Sequence, residues 1–216
     1  MDVTRSTSQA EPHWTKYDAS VRPQALILML HGGKDHSQDA VDSRSLSWRR
    51  SASMQRDIAR RAAQEAGASV WLLRFTRRGW NGGADRVADA RAALDDVRRQ
   101  LGDLPVVLLG HSMGGRTAVH VADDPSVRGV VALAPWLPPG EGVVALRGKS
   151  LYAAHGSRDR ITSARATQDF VRRAATVADV AEFHDMGPVG HYLLRRRREW
   201  NRVALDLSLR VLAEKF

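Results

Sequence analysis

The sequence predicts an α/β fold, a three-layer αβα sandwich around a mostly parallel sheet of about six strands. Six short apolar runs are mostly continuous rather than alternating, which is typical of strands covered by helices on both faces. Longer amphipathic segments alternate with them, as in successive βαβ units. The six runs comprise residues 25–30, 69–75, 105–109, 129–134, 150–154 and 177–184.

Five amphipathic segments are predicted to be helices. In the first, residues 47–66, Met54, Ile58 and Ala62 follow at four-residue spacing, and Gly67 provides a typical helix end. The others comprise residues 84–101, 113–122 and 162–175, and a last helix from about residue 200 to 214 with an alternative start near 192.

The chain is predicted to form one domain over residues 13–216. No internal repeat and no linker rich in Pro, Gly or Ser divides it. Residues 13–22 are predicted to add one short strand at the edge of the sheet. The polar residues 1–12 are predicted to be a disordered tail.

The chain is basic, with 33 Lys and Arg against 24 Asp and Glu and a net charge of +9. Arginines stand near acidic residues at helical spacing, as Arg91 and Asp95 do, which indicates solvated helix faces. The run of four arginines at 195–198 is the most concentrated basic patch. Because no aromatic-interleaved basic strand or recognition helix accompanies it, no nucleic-acid partner is expected.

Composition also bears on redox chemistry and location. The chain has no cysteine, which excludes disulfides and thiol chemistry. No apolar run approaches the roughly 18 residues that a membrane span needs, so no membrane partner is expected. Residues 1–24 are polar and lack the apolar segment of a secretory signal. A cytoplasmic location is therefore expected.

A G-x-S-x-G pattern, GHSMG at 110–114, follows the apolar run 105–109 and precedes a helix. A serine on such a sharp strand-to-helix turn exposes its hydroxyl, and the flanking glycines leave room for neighbouring backbone. The start of the helix supplies N–H groups and a positive dipole end, which favour a developing negative charge. We therefore predict that Ser112 is a nucleophile. A glycine-rich turn that only packs tightly is the alternative.

The loop HGGK at 31–34 is expected to complete an oxyanion hole, because it follows the apolar run 25–30. We predict that the hole consists of the N–H groups of Gly33 and Met113. His31 is predicted to bind nearby backbone and to fix the loop. A metal pair of His31 and His36 is disfavoured because only its spacing supports it. No metal and no cofactor are expected.

A serine nucleophile needs a base, and the base needs an orienting carboxylate. With this type of nucleophile turn, the acid follows the serine in the chain and the histidine follows the acid. Asp159 lies in the loop after the run 150–154, and His191 lies in the loop after the last run. We predict that they are the carboxylate and the base. Weaker candidates are His155, His184 and Asp185; the two histidines among them are expected in the core or a loop.

Four motifs together resemble those of the α/β-hydrolase superfamily. They are HGG at 31–33, GHSMGG at 110–115, HGSRD at 155–159 and GPVGH at 187–191, and the resemblance extends from residue 25 to the last helix. The chain is also similar to small arginine-rich hydrolases of actinobacteria. The resemblance implies a serine hydrolase, commonly an esterase, lipase, thioesterase or peptidase.

Two departures from the family pattern are expected. Little chain precedes residue 25, so the usual two N-terminal strands are missing or reduced to one, without an antiparallel edge hairpin. The segment 135–149 is too short to hold a helical cap. An open site lined by loops follows, with Trp80, Trp136 and Leu137 as predicted substrate contacts at strand ends. The alternative for either tryptophan is a structural role in which its ring fills the core beneath a loop.

The predicted function is cleavage of a carboxylic ester or thioester of a small molecule, through an acyl-enzyme on Ser112. The alternatives are amide or peptide cleavage, acyl transfer with the same residues, and ligand binding without catalysis. Short to medium acyl chains are expected, because a lidless chain of 216 residues leaves little enclosed pocket.

Overall fold

A computed structural model describes residues 13–19 and 22–214 of the chain. The predicted disordered tail, residues 1–12, lies outside the described residues. The described part contains a seven-stranded sheet in the order β1-β3-β2-β4-β5-β6-β7. The strands are β1 (His13–Tyr17), β2 (Ala25–Leu30), β3 (Ala68–Arg74), β4 (Val106–His111), β5 (Val127–Leu133), β6 (Ser150–His155) and β7 (Val180–Asp185).

Strands β2 to β7 are parallel and correspond to the six predicted runs. The extra edge strand predicted within residues 13–22 is β1, which pairs antiparallel with β3. Within residues 13–19 and 22–214, β1 is a single strand, so this part of the sheet has one antiparallel pair and no edge hairpin. Trp14 anchors β1, because its ring packs edge-on against Trp71 and its Nε1–H donates a hydrogen bond to Asp96 at 2.7 Å.

Helices cover both faces of this sheet. They are α1 (Leu46–Ala66), α2 (Ala84–Leu101), α3 (Met113–His120), α4 (Ala164–Ala174) and α5 (Arg197–Ala213). Helices α1 and α5 bury their apolar residues with one face of the sheet, and α2, α3 and α4 bury theirs with the other. In β2, Leu28 belongs to one core and Met29 to the other, which explains why the strands are continuously apolar.

The connection from β5 to β6 is short, as predicted. It holds one 3₁₀ turn, Val144–Leu146, and no α-helix. The fold is therefore the predicted three-layer sandwich without a cap, and the carboxyl ends of the central strands are covered only by loops. Within the described residues, no helix is long and apolar enough to cross a membrane.

Candidate active site

Ser112 lies at the turn between β4 and α3, in a backbone conformation that side chains seldom adopt. Its φ is 55° and its ψ is −117°, and such strain in a non-glycine residue is concentrated at functional sites. Gly114 permits the turn, because a Cβ there would overlap the carbonyl group of Leu30. Ser112 N–H donates to Leu133 O, and Trp136 N–H donates to Ser112 O, each at 3.1 Å. Backbone groups at the end of β5 and just after it therefore hold Ser112 at both its N–H and its C=O.

The three residues predicted as nucleophile, base and carboxylate meet at this turn. Ser112 Oγ is 3.0 Å from His191 Nε2, and His191 Nδ1 is 2.7 Å from Asp159 Oδ2. All three side chains are buried, and that of Asp159 is fully so. The imidazole is therefore placed to accept a proton from the hydroxyl at one nitrogen while it donates to the carboxylate from the other.

Asp159 accepts hydrogen bonds at both carboxylate oxygens. Oδ1 accepts from the backbone N–H groups of Ile161 and Thr162 at 2.8 and 2.9 Å. Oδ2 accepts from His191, from His155 Nε2 at 3.1 Å and from Thr162 Oγ1 at 2.9 Å. Burial acts to raise the pKa of Asp159, but the hydrogen bonds from His155, His191 and the backbone outweigh it and hold the pKa far below its usual range.

His155 makes a contact with Asp159 that the sequence patterns do not predict. Those patterns place it in the core or a loop, and it is fully buried at the end of β6. Its Nδ1 accepts a hydrogen bond from Thr167 Oγ1 at 2.9 Å, so Nε2 carries the proton that Asp159 accepts. The four-residue spacing in HGSRD is the signal that could have indicated this contact. The two weaker candidates after it in the chain, His184 and Asp185, are exposed on β7.

The predicted oxyanion loop lies against the nucleophile turn. A Cβ on Gly33 would be 2.5 Å from Met113 Sδ, so these residues are in direct contact. Among the described residues, neither N–H group donates a hydrogen bond to a protein acceptor. An amide without an internal acceptor is in principle able to bind a negatively charged oxygen.

His31 fixes this loop, as predicted. Its Nδ1–H donates to Gly32 O at 2.7 Å and its Nε2 accepts from Phe75 N–H at 3.2 Å. Burial lowers the pKa of His31 to about 4, so the ring is neutral. Both ring nitrogens are occupied, which is incompatible with a metal pair with His36; that residue is exposed and contacts Asp35. The part of the chain that the structure describes contains no cluster of metal-binding side chains.

His111 fixes the loop that carries His191. Its Nε2–H donates to the backbone oxygen of His191 at 3.0 Å, and the two rings are 5.0 Å apart. Burial and the neighbouring His191 lower the pKa of His111 to about 3. The ring therefore stays neutral and acts as a structural hydrogen-bond donor.

The predicted substrate contacts differ in exposure. Trp80 and Leu137 are 5% and 3% exposed and belong to the core, whereas Trp136 is half-buried. Trp80 and Trp136 pack edge-on, and the Arg116 guanidinium contacts both rings, 4.3 and 4.6 Å from their centroids, and pairs with Glu141. Trp80, Trp136 and Arg116 together form a tryptophan wall beside α3, in which Trp136 is the more exposed ring.

Solved structures with this fold include several hydrolases. A homologue of α/β serine hydrolases from Coxiella burnetii is 16% identical, with a TM-score of 0.70 and 90% of each chain covered. A lidless α/β serine hydrolase from Xanthomonas campestris is 15% identical, with a TM-score of 0.67 and coverage of 96% of this chain and 98% of that chain. Est1E from Butyrivibrio proteoclasticus with bound ferulic acid is 13% identical, with a TM-score of 0.68 and coverage of 94% and 96%. At these identities the similarity concerns the fold.

The sequence itself also matches a family model. No curated protein matches the chain significantly. The model described as the alpha/beta hydrolase family matches residues 27–212. That span includes the turn at Ser112, the loops of Asp159 and His191 and the helices on both faces of the sheet, so this chain belongs to the α/β-hydrolase family.

Proposed function

We propose that this protein is a serine hydrolase that cleaves a carboxylic ester or thioester of a small molecule. The observation that carries the proposal is the hydrogen-bonded line from Ser112 Oγ through the His191 ring to Asp159, with heavy-atom distances of 3.0 and 2.7 Å. The strained backbone of Ser112 supports a functional reason for this arrangement. Ferulic acid in the similar Est1E structure supports an acyl substrate.

The proposed reaction passes through an acyl-enzyme. Ser112 Oγ attacks the carbonyl carbon as His191 Nε2 takes its proton, and the carbonyl oxygen becomes an anion. The N–H groups of Gly33 and Met113 bind this anion; the loss of one such donor typically costs about 10²–10³ in kcat. The intermediate then breaks its bond to the alkoxide or thiolate, which leaves with the proton from His191.

Deacylation repeats the same chemistry with water. His191 takes a proton from the attacking water, whose oxygen forms the new bond to the acyl carbon. Collapse of the second intermediate returns the proton to Ser112 Oγ and releases a carboxylic acid. Asp159 stays ionised throughout, since its hydrogen bonds favour the carboxylate, and it stabilises the imidazolium formed in each half-reaction.

A fluorophosphonate probe tests the nucleophile. We expect stoichiometric labelling of the wild type and none of Ser112→Ala; labelling that persists in the variant would exclude Ser112 as the nucleophile.

A panel of p-nitrophenyl esters from acetate to palmitate tests acyl length, with matched anilides for amide cleavage. Short to medium esters should react fastest because no cap encloses the site. A strong preference for palmitate or for the anilides would contradict the proposed specificity.

A further inference from the structure

A small cavity lies between the sheet and α1, on the side of β4 away from the tryptophan wall. Its volume is about 80 Å³. Apolar side chains form much of its lining, including Met29 and Leu109 of the sheet, Met54 of α1 and Leu193 of the loop after the base. An engineered apolar cavity of about 150 Å³ admits benzene, so this volume suits a short alkyl chain. Neither Ser112 nor His191 lines it.

The mouth of this cavity is unusually apolar for a protein surface. Tyr192 and Leu194 both line it, and they are 46% and 64% exposed. Between them Leu193 has a φ of 58° and turns its side chain inward. Exposed apolar side chains around an apolar cavity are typical of a ligand site.

A cation at this mouth has no carboxylate partner. The Arg50 guanidinium of α1 stacks 4.5 Å from the Tyr192 ring centroid and lines the cavity. No acidic side chain of the described residues pairs with it. Arg197, the other arginine of the lining, pairs with Asp57 at 2.5 Å. The site therefore combines an apolar interior with one positive charge available to a ligand.

We infer that this cavity binds a small anionic amphiphile, a carboxylate whose short alkyl chain fills the cavity and whose charged group pairs with Arg50. The inference does not require the proposed reaction, although that reaction would release an acid of this class. A bound chain would contact Tyr192, which directly follows His191, and the His111 side chain, which holds the backbone of His191. Occupancy would thus act on the loop that carries the base.

Chemical-shift titration of ¹⁵N-labelled full-length protein with hexanoate tests this site. We expect saturable shifts in the amides of residues 50–54 and 192–194. Arg50→Gln should weaken hexanoate binding about fivefold and leave 1-hexanol binding within twofold, because only the acid carries a charge. Arg49→Gln is the matched control, since Arg49 neighbours Arg50 on α1 but does not line the cavity.

A second variant tests the cavity itself. Ser51 lines it and is buried, so Ser51→Leu should fill the space and weaken both hexanoate and 1-hexanol at least tenfold. Ser51→Val provides a milder filling if the melting temperature of the leucine variant shows misfolding. Shifts confined to residues 33–37 and 135–137, an equal effect of Arg50→Gln on both probes, or unchanged binding in a folded Ser51 variant would overturn the inference. So would binding to phosphatidylglycerol vesicles without any saturable response to hexanoate.

Discussion

Replacement of His155 by phenylalanine would remove one hydrogen bond from the buried carboxylate of Asp159 and leave four donors. A hydrogen bond to a charged group contributes about 1.5–3 kcal/mol, and the orphaned Thr167 hydroxyl adds about 1 kcal/mol to the loss. We therefore expect His155→Phe to lower the free energy of unfolding by about 3 kcal/mol. For a domain of this size, each kcal/mol shifts Tm by about 2–4 °C, so Tm should fall by about 6–12 °C.

The same substitution should also change the pH profile of turnover. A carboxylate with fewer donors holds its negative charge less dispersed and interacts more strongly with the imidazolium of His191. The acid limb of the kcat/KM profile should therefore move to higher pH, by about half a pH unit. p-Nitrophenyl butyrate hydrolysis between pH 4 and 9 measures the profile, and circular dichroism measures Tm.

Two further variants make this prediction refutable. His155→Gln keeps a donor within reach of Asp159 and should restore most of the pH profile even if some stability is lost. His184→Phe replaces an exposed histidine of β7 and should change neither readout. A His155→Phe enzyme with an unshifted acid limb would mean that His155 only fills space, and an unchanged Tm would refute the assigned hydrogen bond.

Three other predictions concern the same site. His191→Ala should reduce ester turnover as deeply as Ser112→Ala, and the double variant should be no worse, because the groups act as one unit; near-normal turnover would move the base elsewhere. Asp159→Asn should destabilise the protein by about 2–4 kcal/mol at pH 7, measured by urea unfolding. The pKa of Asp159 is lower in the folded than in the unfolded protein, so its stabilisation is present above about pH 4 and is lost on acidification. The difference in unfolding free energy between wild type and Asp159→Asn should therefore shrink at low pH. A difference that stays constant with pH would contradict the ionised state of Asp159. Gly114→Ala should lower Tm by about 5–10 °C through overlap with the Leu30 carbonyl, whereas Gly142→Ala, with open space around it, should not; equal effects would exclude the overlap as the cause.

Local patterns predicted the elements of this fold well because the physics that forms them is local. Strands covered on both faces must be apolar at consecutive positions, so β2 to β6 were visible as runs. The edge strand β7 is half-exposed, and its predicted run, 177–184, begins three residues before the strand itself. A strand followed by GHSMG predicted where Ser112 would lie. The short strand β1 has a mixed sequence, HWTKY, and its antiparallel direction depends on contacts of Trp14 with Trp71 and Asp96, far away in the chain.

Contacts made by loop side chains could not be predicted in the same way. The bonds of Asp159 to His155 and Thr162 depend on how the loop after β6 closes. The four-residue spacing of His155 and Asp159 is compatible with one of these contacts but does not determine the loop conformation. The burial of Trp80 involves the Arg116 guanidinium of α3, a contact between residues far apart in the chain. The parallel topology predicted that the loops of Ser112, Asp159 and His191 meet at the carboxyl ends of the strands. The distances from His191 to Ser112 and to Asp159 agree with that prediction.

The two backbone hydrogen bonds that hold Ser112 have a practical consequence for unfolding studies. Both come from the end of β5 and the residues just after it, so the position of the hydroxyl depends on an intact junction between two central strands. Under the proposed function, ester turnover would report whether this junction is intact. Ester turnover during denaturation should disappear with the earliest loosening of the central sheet, even where α1 and α5 still contribute helical signal.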